Sequence, residues 1–485
     1  MLFTAAVAFL AYARLLLWHA SFAAGGSDSS GYANTARLIL TGRIVEPVVA
    51  LKMLDLPAGF LPDFLPLAFE PGPRPGTMVP FYPPGLPLHM AFSSLVAGWT
   101  YGPFIVSPLA ALMSLLLVFL LGRELGLSRL FSAVGAAILA LCPVFLFMAE
   151  QPMSDAVATM WSLAALLFAL RSRRREGWAI AAGAAFGMAV LVRPAEALLL
   201  IPLALALAPR GRCLLFFLLG GAPFAAALLA WNQVAFGNPF RTGYSAELPV
   251  GLSLANFPDR FRHYGMWLVK LLSPLVVVGW ILVVFARRVA WRDRVLILVW
   301  FASFFLFYCF WAPYETWWYT RFLLPAIPAL VLGSLLVLRD WLRPREERAP
   351  GALAPLLAVG ALAVVLGSET YWVRNLGVLQ FGEGEKVYAE ATRWAEAKVS
   401  PHSLIVSMQM SGALRYYTSL IPVRWDRIEP GQAAVLEEHA RTHGYQWFAL
   451  LFPFENEELE KRLPWGWTKV GTLRGATLWR LNSAR

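Results

Sequence analysis

Long apolar runs alternate with short polar breaks from the N-terminus to about Gly367. Runs of this length match membrane spans, which need about 20 residues. The candidate spans are 2–22, 104–122, 130–148, 154–170, 178–192, 195–208, 213–235, 266–285, 295–312, 320–338 and 352–370. Two stretches depart from the rhythm. Residues 21–101 form a long loop in which 30–40 can make a short amphipathic helix and 57–87 reads as irregular, proline-rich chain on the membrane. Pro83, Pro84, Pro87 and Gly85 suit a juxtamembrane or re-entrant helix over 84–101 rather than a span.

From about Phe381 charged residues become frequent and the period changes. Helices are predicted over 383–398, 411–418 and 432–443, and strands over 403–408 and 447–452. A closing hairpin over 468–473 and 477–481 turns at Arg474-Gly475. The predicted fold is therefore an all-α polytopic membrane domain over 1–374, with about 11–13 spans. A small extracytoplasmic α/β domain over 375–485 follows it.

Composition supports this. The 485 residues are 58% hydrophobic and 15% charged, against about 25% charged in soluble domains. The net charge of +11 would suit nucleic acid, but most basic residues lie in short loops between spans, so no nucleic-acid partner is expected. Five arginine-bearing loops carry that charge: Arg123 and Arg129; Arg171 and Arg173–Arg175; Arg210 and Arg212; Arg287, Arg288, Arg292 and Arg294; Arg339, Arg343, Arg345 and Arg348. Placing all five inside satisfies the positive-inside rule. The N-terminus is then cytoplasmic in an inner (plasma) membrane. The loops 21–101 and 236–265, the turns at 150–153, 193–194 and 313–319, and everything after about 371 are outside. The first run has no basic start and carries Arg14 in its middle, so it reads as an uncleaved span. Cys142, Cys213 and Cys309 lie in apolar runs and read as buried small hydrophobes. The arginine- and alanine-rich composition suggests a GC-rich bacterium.

Candidate chemistry gathers at the external span ends: Asp28, Glu150, Asp155, Arg193, Glu196, Glu315 and Arg321. Each alone is equally a helix end meeting water, and for Glu196 and Glu315 that reading is preferred. Asp28 stands out, because a carboxylate beside a bilayer is costly to desolvate. Acids and guanidinium groups that converge can bind an anion and activate a nucleophile. His439 and His443 have metal-ligand spacing after Glu437 and Glu438 but show no third ligand, so a solvated helix face is expected. With no acidic cluster or nucleotide-phosphate loop, no metal or other cofactor is expected. The aromatic run Trp311, Tyr314, Trp317, Trp318 and Tyr319 reads as an interfacial belt.

Several of these segments carry a resemblance. Asp28 followed by Tyr32, the element Phe81-Tyr82-Pro83-Pro84-Gly85-Leu86-Pro87-Leu88, and Leu191-Val192-Arg193-Pro194 are similar to motifs of integral-membrane glycosyltransferases with the GT-C fold. So are Asn232 to Phe240 and Arg321 to Pro328. In order and spacing the chain resembles the protein O-mannosyltransferases and lipid A aminoarabinose transferases. The resemblance implies a polyprenyl-phosphate sugar donor, inversion at the anomeric carbon, and a lipid, glycan or protein acceptor. Asp28 would be the general base, and Arg193 and Arg321 would bind donor phosphate. Asp155 matches the second acidic position, with Glu150 competing for that role, while Tyr32 and Tyr82 are possible substrate contacts. Two features depart from the relatives: Tyr82 stands where aminoarabinose transferases have lysine, and Ser29 replaces the second acid of the mannosyltransferase pair.

A transporter or flippase of lipid-linked glycans is the competing class. It predicts inverted repeats and broken helices in matching halves, and the sequence shows none. A non-catalytic glycan binder is the third.

Overall fold

The computed structural model describes residues 2–246, 251–311, 315–342 and 353–482. Tyr314, Arg343, Arg345 and Arg348 lie outside the described residues. The chain gathers into two compact units. The first comprises Met1–Ala20, Val106–Ala227 and Ala246–Phe381; the second comprises Ser21–Ile105, Leu228–Ser245 and Gly382–Arg485.

The first unit is helical, and every predicted span coincides with helix. Among the described residues, four helices are long and apolar enough to cross a membrane singly, or up to seven if each bent pair is one span. Three shorter apolar helices add to these. Proline divides several of the runs expected to supply about 11–13 spans. Bends of 70°, 112° and 77° fall where Pro143, Pro274 and Pro325 interrupt the backbone ladder. Cys142, Cys213 and Cys309 are buried free thiols, as expected.

Basic loop residues in this unit also hold helix ends. Arg173 donates from Nε to Ala206 O (2.8 Å) and from Nη2 to Leu205 O (3.0 Å). Arg292 Nε donates to Leu205 O at 2.7 Å. Carbonyls left over at a helix C-terminus are thus met by cations, which the helix dipole also favours.

The second unit joins the first long loop to the C-terminal segment. Strands β1 (Glu46–Pro47), β2 (Phe69–Pro71) and β3 (Thr77–Pro80) form a small antiparallel sheet in the order β1-β3-β2. With a 3-10 turn over Ala58–Phe64, they replace the irregular chain predicted for 57–87. Strands β4 (Ser403–Val406), β5 (Ile421–Val423), β6 (Gln446–Leu451), β7 (Trp467–Leu473) and β8 (Ala476–Leu481) form a mixed sheet in the order β5-β4-β6-β8-β7. Strand β4 runs parallel to both neighbours.

Both faces of β4 and β6 are buried, so these two strands read as nearly continuous apolar runs. On one face Ile405, Phe448 and Leu450 pack with Val387, Ala391 and Ala395 of the helix Phe381–Glu396. On the other, Leu404, Val406, Trp447 and Ala449 pack with Leu436 and Ala440, and also with Leu51, Leu54, Phe60, Phe64 and Phe69. The C-terminal sheet therefore shares its core with the first long loop, whereas the sequence suggests that 375–485 stands alone.

Buried Glu455 ties this unit internally. Its Oε1 accepts from Met408 N (3.0 Å), Gln409 N (3.1 Å) and Trp425 Nε1 (3.0 Å), and its Oε2 accepts from Phe452 N (3.0 Å). His439 Nδ1 lies against Leu54 O at 2.8 Å and His443 Nδ1 against its own helix at His439 O (2.9 Å).

Candidate functional site

Each unit carries one polar constellation. In the second unit, Gly25 and Gly26 end the preceding chain, with Gly26 at φ 53°, and the helix Asp28–Thr41 begins at once. Asp28 sits in its first turn, where the helix dipole favours an acid. The Tyr82 hydroxyl donates to Asp28 Oδ1, and Ser27 Oγ lies 3.2 Å from the same hydroxyl. Burial and the charge of Asp28 push the Tyr82 phenol well above its ordinary value, so it stays protonated and donates.

Sequence and backbone explain the placement of Tyr82. Pro83 and Pro84 stiffen the lead into the next helix, and Leu88 N bonds to Pro84 O at 2.8 Å. Gly31 leaves room for the ring: a Cβ there would meet Ala68 and come within 3.0–3.1 Å of Tyr82. The Tyr32 ring packs on Tyr82 with centroids 4.5 Å apart, and Phe81 and Tyr244 stand at 5.1 and 6.4 Å. Tyr32 and Tyr82 are both buried. Tyr82, at the lysine position of the aminoarabinose transferases, here contacts the acid itself.

In the first unit, Asp155 opens the helix Ser154–Ser172 and meets two arginines. Its Oδ1 accepts from Arg193 Nη1, and its Oδ2 is 3.8 Å from Arg321 Nη1. The three side chains are 3%, 13% and 16% exposed, so the network is largely desolvated. Pro194 forces Arg193 into extended backbone (φ −143°, ψ 115°), which breaks the helix and frees this side chain for the network. Tyr308 also bonds Arg193. The guanidinium groups of Arg193 and Arg321 lie 5.6 and 5.5 Å from the Phe322 ring. Arg321 Nη1 is 3.4 Å from Met153 Sδ. Two cations are thus brought beside one carboxylate, an arrangement that can take a further anion.

Glu196 corrects the sequence reading. It is 1% exposed and accepts from Ser162 Oγ at 2.7 Å rather than meeting water. The 3-10 turn after Pro194 carries it inward, where the charge of Arg193 acts on it. Glu315 is exposed, as expected. Glu150 is buried, and neither of its carboxylate oxygens has a hydrogen-bond partner among the described residues, so the structure gives it no bond to the Asp155 network. Tyr308, Ser162, Phe322, Ser27 and Tyr244 are members that sequence reasoning missed. Only Phe322 carried a signal, as the neighbour of Arg321 in a quoted motif. Among the described residues no three His, Cys, Asp or Glu side chains converge as a metal cluster.

A third acid belongs to neither constellation. Asp63, in the second unit, is 1% exposed, and its carboxylate oxygens have no hydrogen-bond partner among the described residues. Burial, with a smaller contribution from the charge of Glu429, pushes its pKa up to about 7.

Against known proteins, residues 82–230 match the family described as dolichyl-phosphate-mannose-protein mannosyltransferase. No curated protein matches the chain. Among solved structures, ArnT from Cupriavidus metallidurans bound to undecaprenyl phosphate is 16% identical, with 99% of this chain and 98% of that one covered at a TM-score of 0.56. The Archaeoglobus fulgidus oligosaccharyltransferase is 14% identical, with 99% and 74% covered at 0.56. Mycobacterial arabinofuranosyltransferase AftD is 13% identical, with 99% and 41% covered at 0.57. The resemblance to GT-C glycosyltransferases extends over the whole chain, and at these identities what is shared is the fold.

Proposed function

We propose that this chain is an integral-membrane glycosyltransferase that moves a sugar from a polyprenyl-phosphate donor to an acceptor hydroxyl at the outer face of the membrane. The observation that carries the reading is Asp155 holding two arginines side by side among apolar helices. Paired guanidinium groups in low dielectric suit a phosphate attached to a lipid. The match to the mannosyltransferase family and the undecaprenyl phosphate bound by ArnT support the same donor class.

In this reading Asp28 takes the proton of the acceptor hydroxyl as its oxygen attacks the anomeric carbon. The bond from that carbon to the phosphate oxygen breaks with its electron pair, and polyprenyl phosphate leaves. One displacement inverts the configuration. Arg193 and Arg321 stabilise the charge that develops on the leaving phosphate, and Asp155 orients them. Tyr82 orients the carboxylate of Asp28.

The test gives purified protein and Asp28→Asn radiolabelled undecaprenyl-phosphate hexoses and pentoses, with a crude membrane extract as acceptor. Label should move in the parent. It should move about 10²–10⁴ times more slowly in the variant, the range expected of a positioned base. Tight donor binding without transfer would favour a transporter or binder instead.

A further inference from the structure

The helix bearing Asp28 has a second partner that the proposed chemistry does not use. Along its length it lies on the short C-terminal helix Ser411–Tyr417. Before the helix begins, Ala24 N donates to the Tyr417 hydroxyl at 2.8 Å. Gly412 then faces Ser30. Four residues on, buried Asn34 donates from Nδ2 to Gly412 O at 2.9 Å. Last, Arg37 Nη1 donates to Tyr416 O at 2.5 Å, with its guanidinium 3.9 Å from the Tyr416 ring centroid. Residues 30, 34 and 37 are spaced to share one face of a helix.

The fit leaves no slack. A Cβ at Gly412 would strike the Ser30 hydroxyl and stand 2.9 Å from Ser30 Cβ, a separation that real side chains essentially never show. The short helix is itself fixed, since the chain leading into it, at Met408 and Gln409, hangs on Glu455.

We infer that the helix Ser411–Tyr417 is a positioning element for the reaction, with Gly412, Ser30 and Asn34 setting where the Asp28 carboxylate stands. The C-terminal segment thereby serves the chemical step itself, beyond any part it plays in choosing an acceptor. This rests on the reading of Asp28 as general base. Reacting groups must meet within a fraction of an ångström, and a displacement of about 1 Å costs on the order of 100-fold.

The experiment measures kcat and donor KM on the full chain in the transfer assay above, with melting temperature alongside. Gly412→Ala should lower kcat by roughly ten- to a hundred-fold and leave donor KM unchanged. Adding Ser30→Gly to the same chain returns the missing space and should restore most of the rate, which a general loss of fold would not allow. Asn34→Ala introduces no clash and should lower kcat less, again at constant KM; it decides the matter if Gly412→Ala does not fold. A parent-like kcat in Gly412→Ala or, where that variant fails to fold, in Asn34→Ala overturns the inference. So does a loss that Ser30→Gly fails to recover in a folded protein. If Asp28→Asn turns over at the parent rate, the base assignment itself fails. If Asp28→Asn is dead while Gly412→Ala is fully active, only the positioning role fails.

Discussion

Asp28 and Asp155 are the same residue in the first turn of two helices, yet the partners described for them differ. The carboxylate of Asp28 accepts from the neutral hydroxyl of Tyr82. That of Asp155 meets guanidinium groups on both oxygens. A hydroxyl beside the one and two guanidinium groups beside the other suit the roles proposed for them, a proton acceptor and an orienting anion.

Substitution separates them further. Asp28→Asn should slow transfer about 10²–10⁴-fold while leaving melting temperature near that of the parent, because a neutral amide can still bond Tyr82. Asp155→Ala should behave differently, since it removes the carboxylate that two largely buried cations share. Breaking a buried ion pair from one side costs about 3–5 kcal/mol, so thermal unfolding should come earlier and donor binding should weaken together. If Asp155→Ala melts like the parent, the network is not the structural clamp described here. Tyr82→Phe should be milder. It removes one bond to a charged group, worth about 1.5–3 kcal/mol, and should lower kcat and, by a smaller step than Asp155→Ala, the melting temperature. A rise in donor KM alone would place Tyr82 outside the reacting group.

Asp63 sharpens the contrast from another side, as a buried acid with neither kind of partner described. Its folded value of about 7 lies above the ordinary aspartate value of about 3.9. Below about pH 4 the carboxyl is protonated in both states and its contribution is fully present. As pH rises toward 7 the unfolded chain ionises first, so stability falls, by about 1.4 kcal/mol per unit at most. Asp63→Asn should flatten that decline in a melting-temperature series from pH 4 to 8. An unchanged slope would show that Asp63 is not its source.

Much of this was legible in the sequence because it depends on neighbours along the chain. The apolar runs mark the helices, and Pro194 marks the break that frees Arg193. Arg474-Gly475 marks a hairpin turn in which both residues take positive φ, 48° and 86°. Strand β5 escaped notice because Pro422 sits in it, which the edge of the sheet tolerates. The helix Pro453–Arg462 escaped because its charged sequence has little apolar periodicity. What no local pattern carries is distance across the chain. Nothing near Tyr82 points to Asp28, and nothing near residue 412 points to Asn34.

That last separation has a meaning in time. Asn34 and Gly412 are 378 residues apart, and a ribosome adding about 5–20 residues per second needs roughly 20–75 s to cross the interval. For all of that interval the helix bearing Asp28 has been made and its partner has not. A nascent chain therefore holds its proposed base on a helix that lacks this brace until those further residues have been made, and the proposed site comes into register only once the sheet that closes the second unit has emerged.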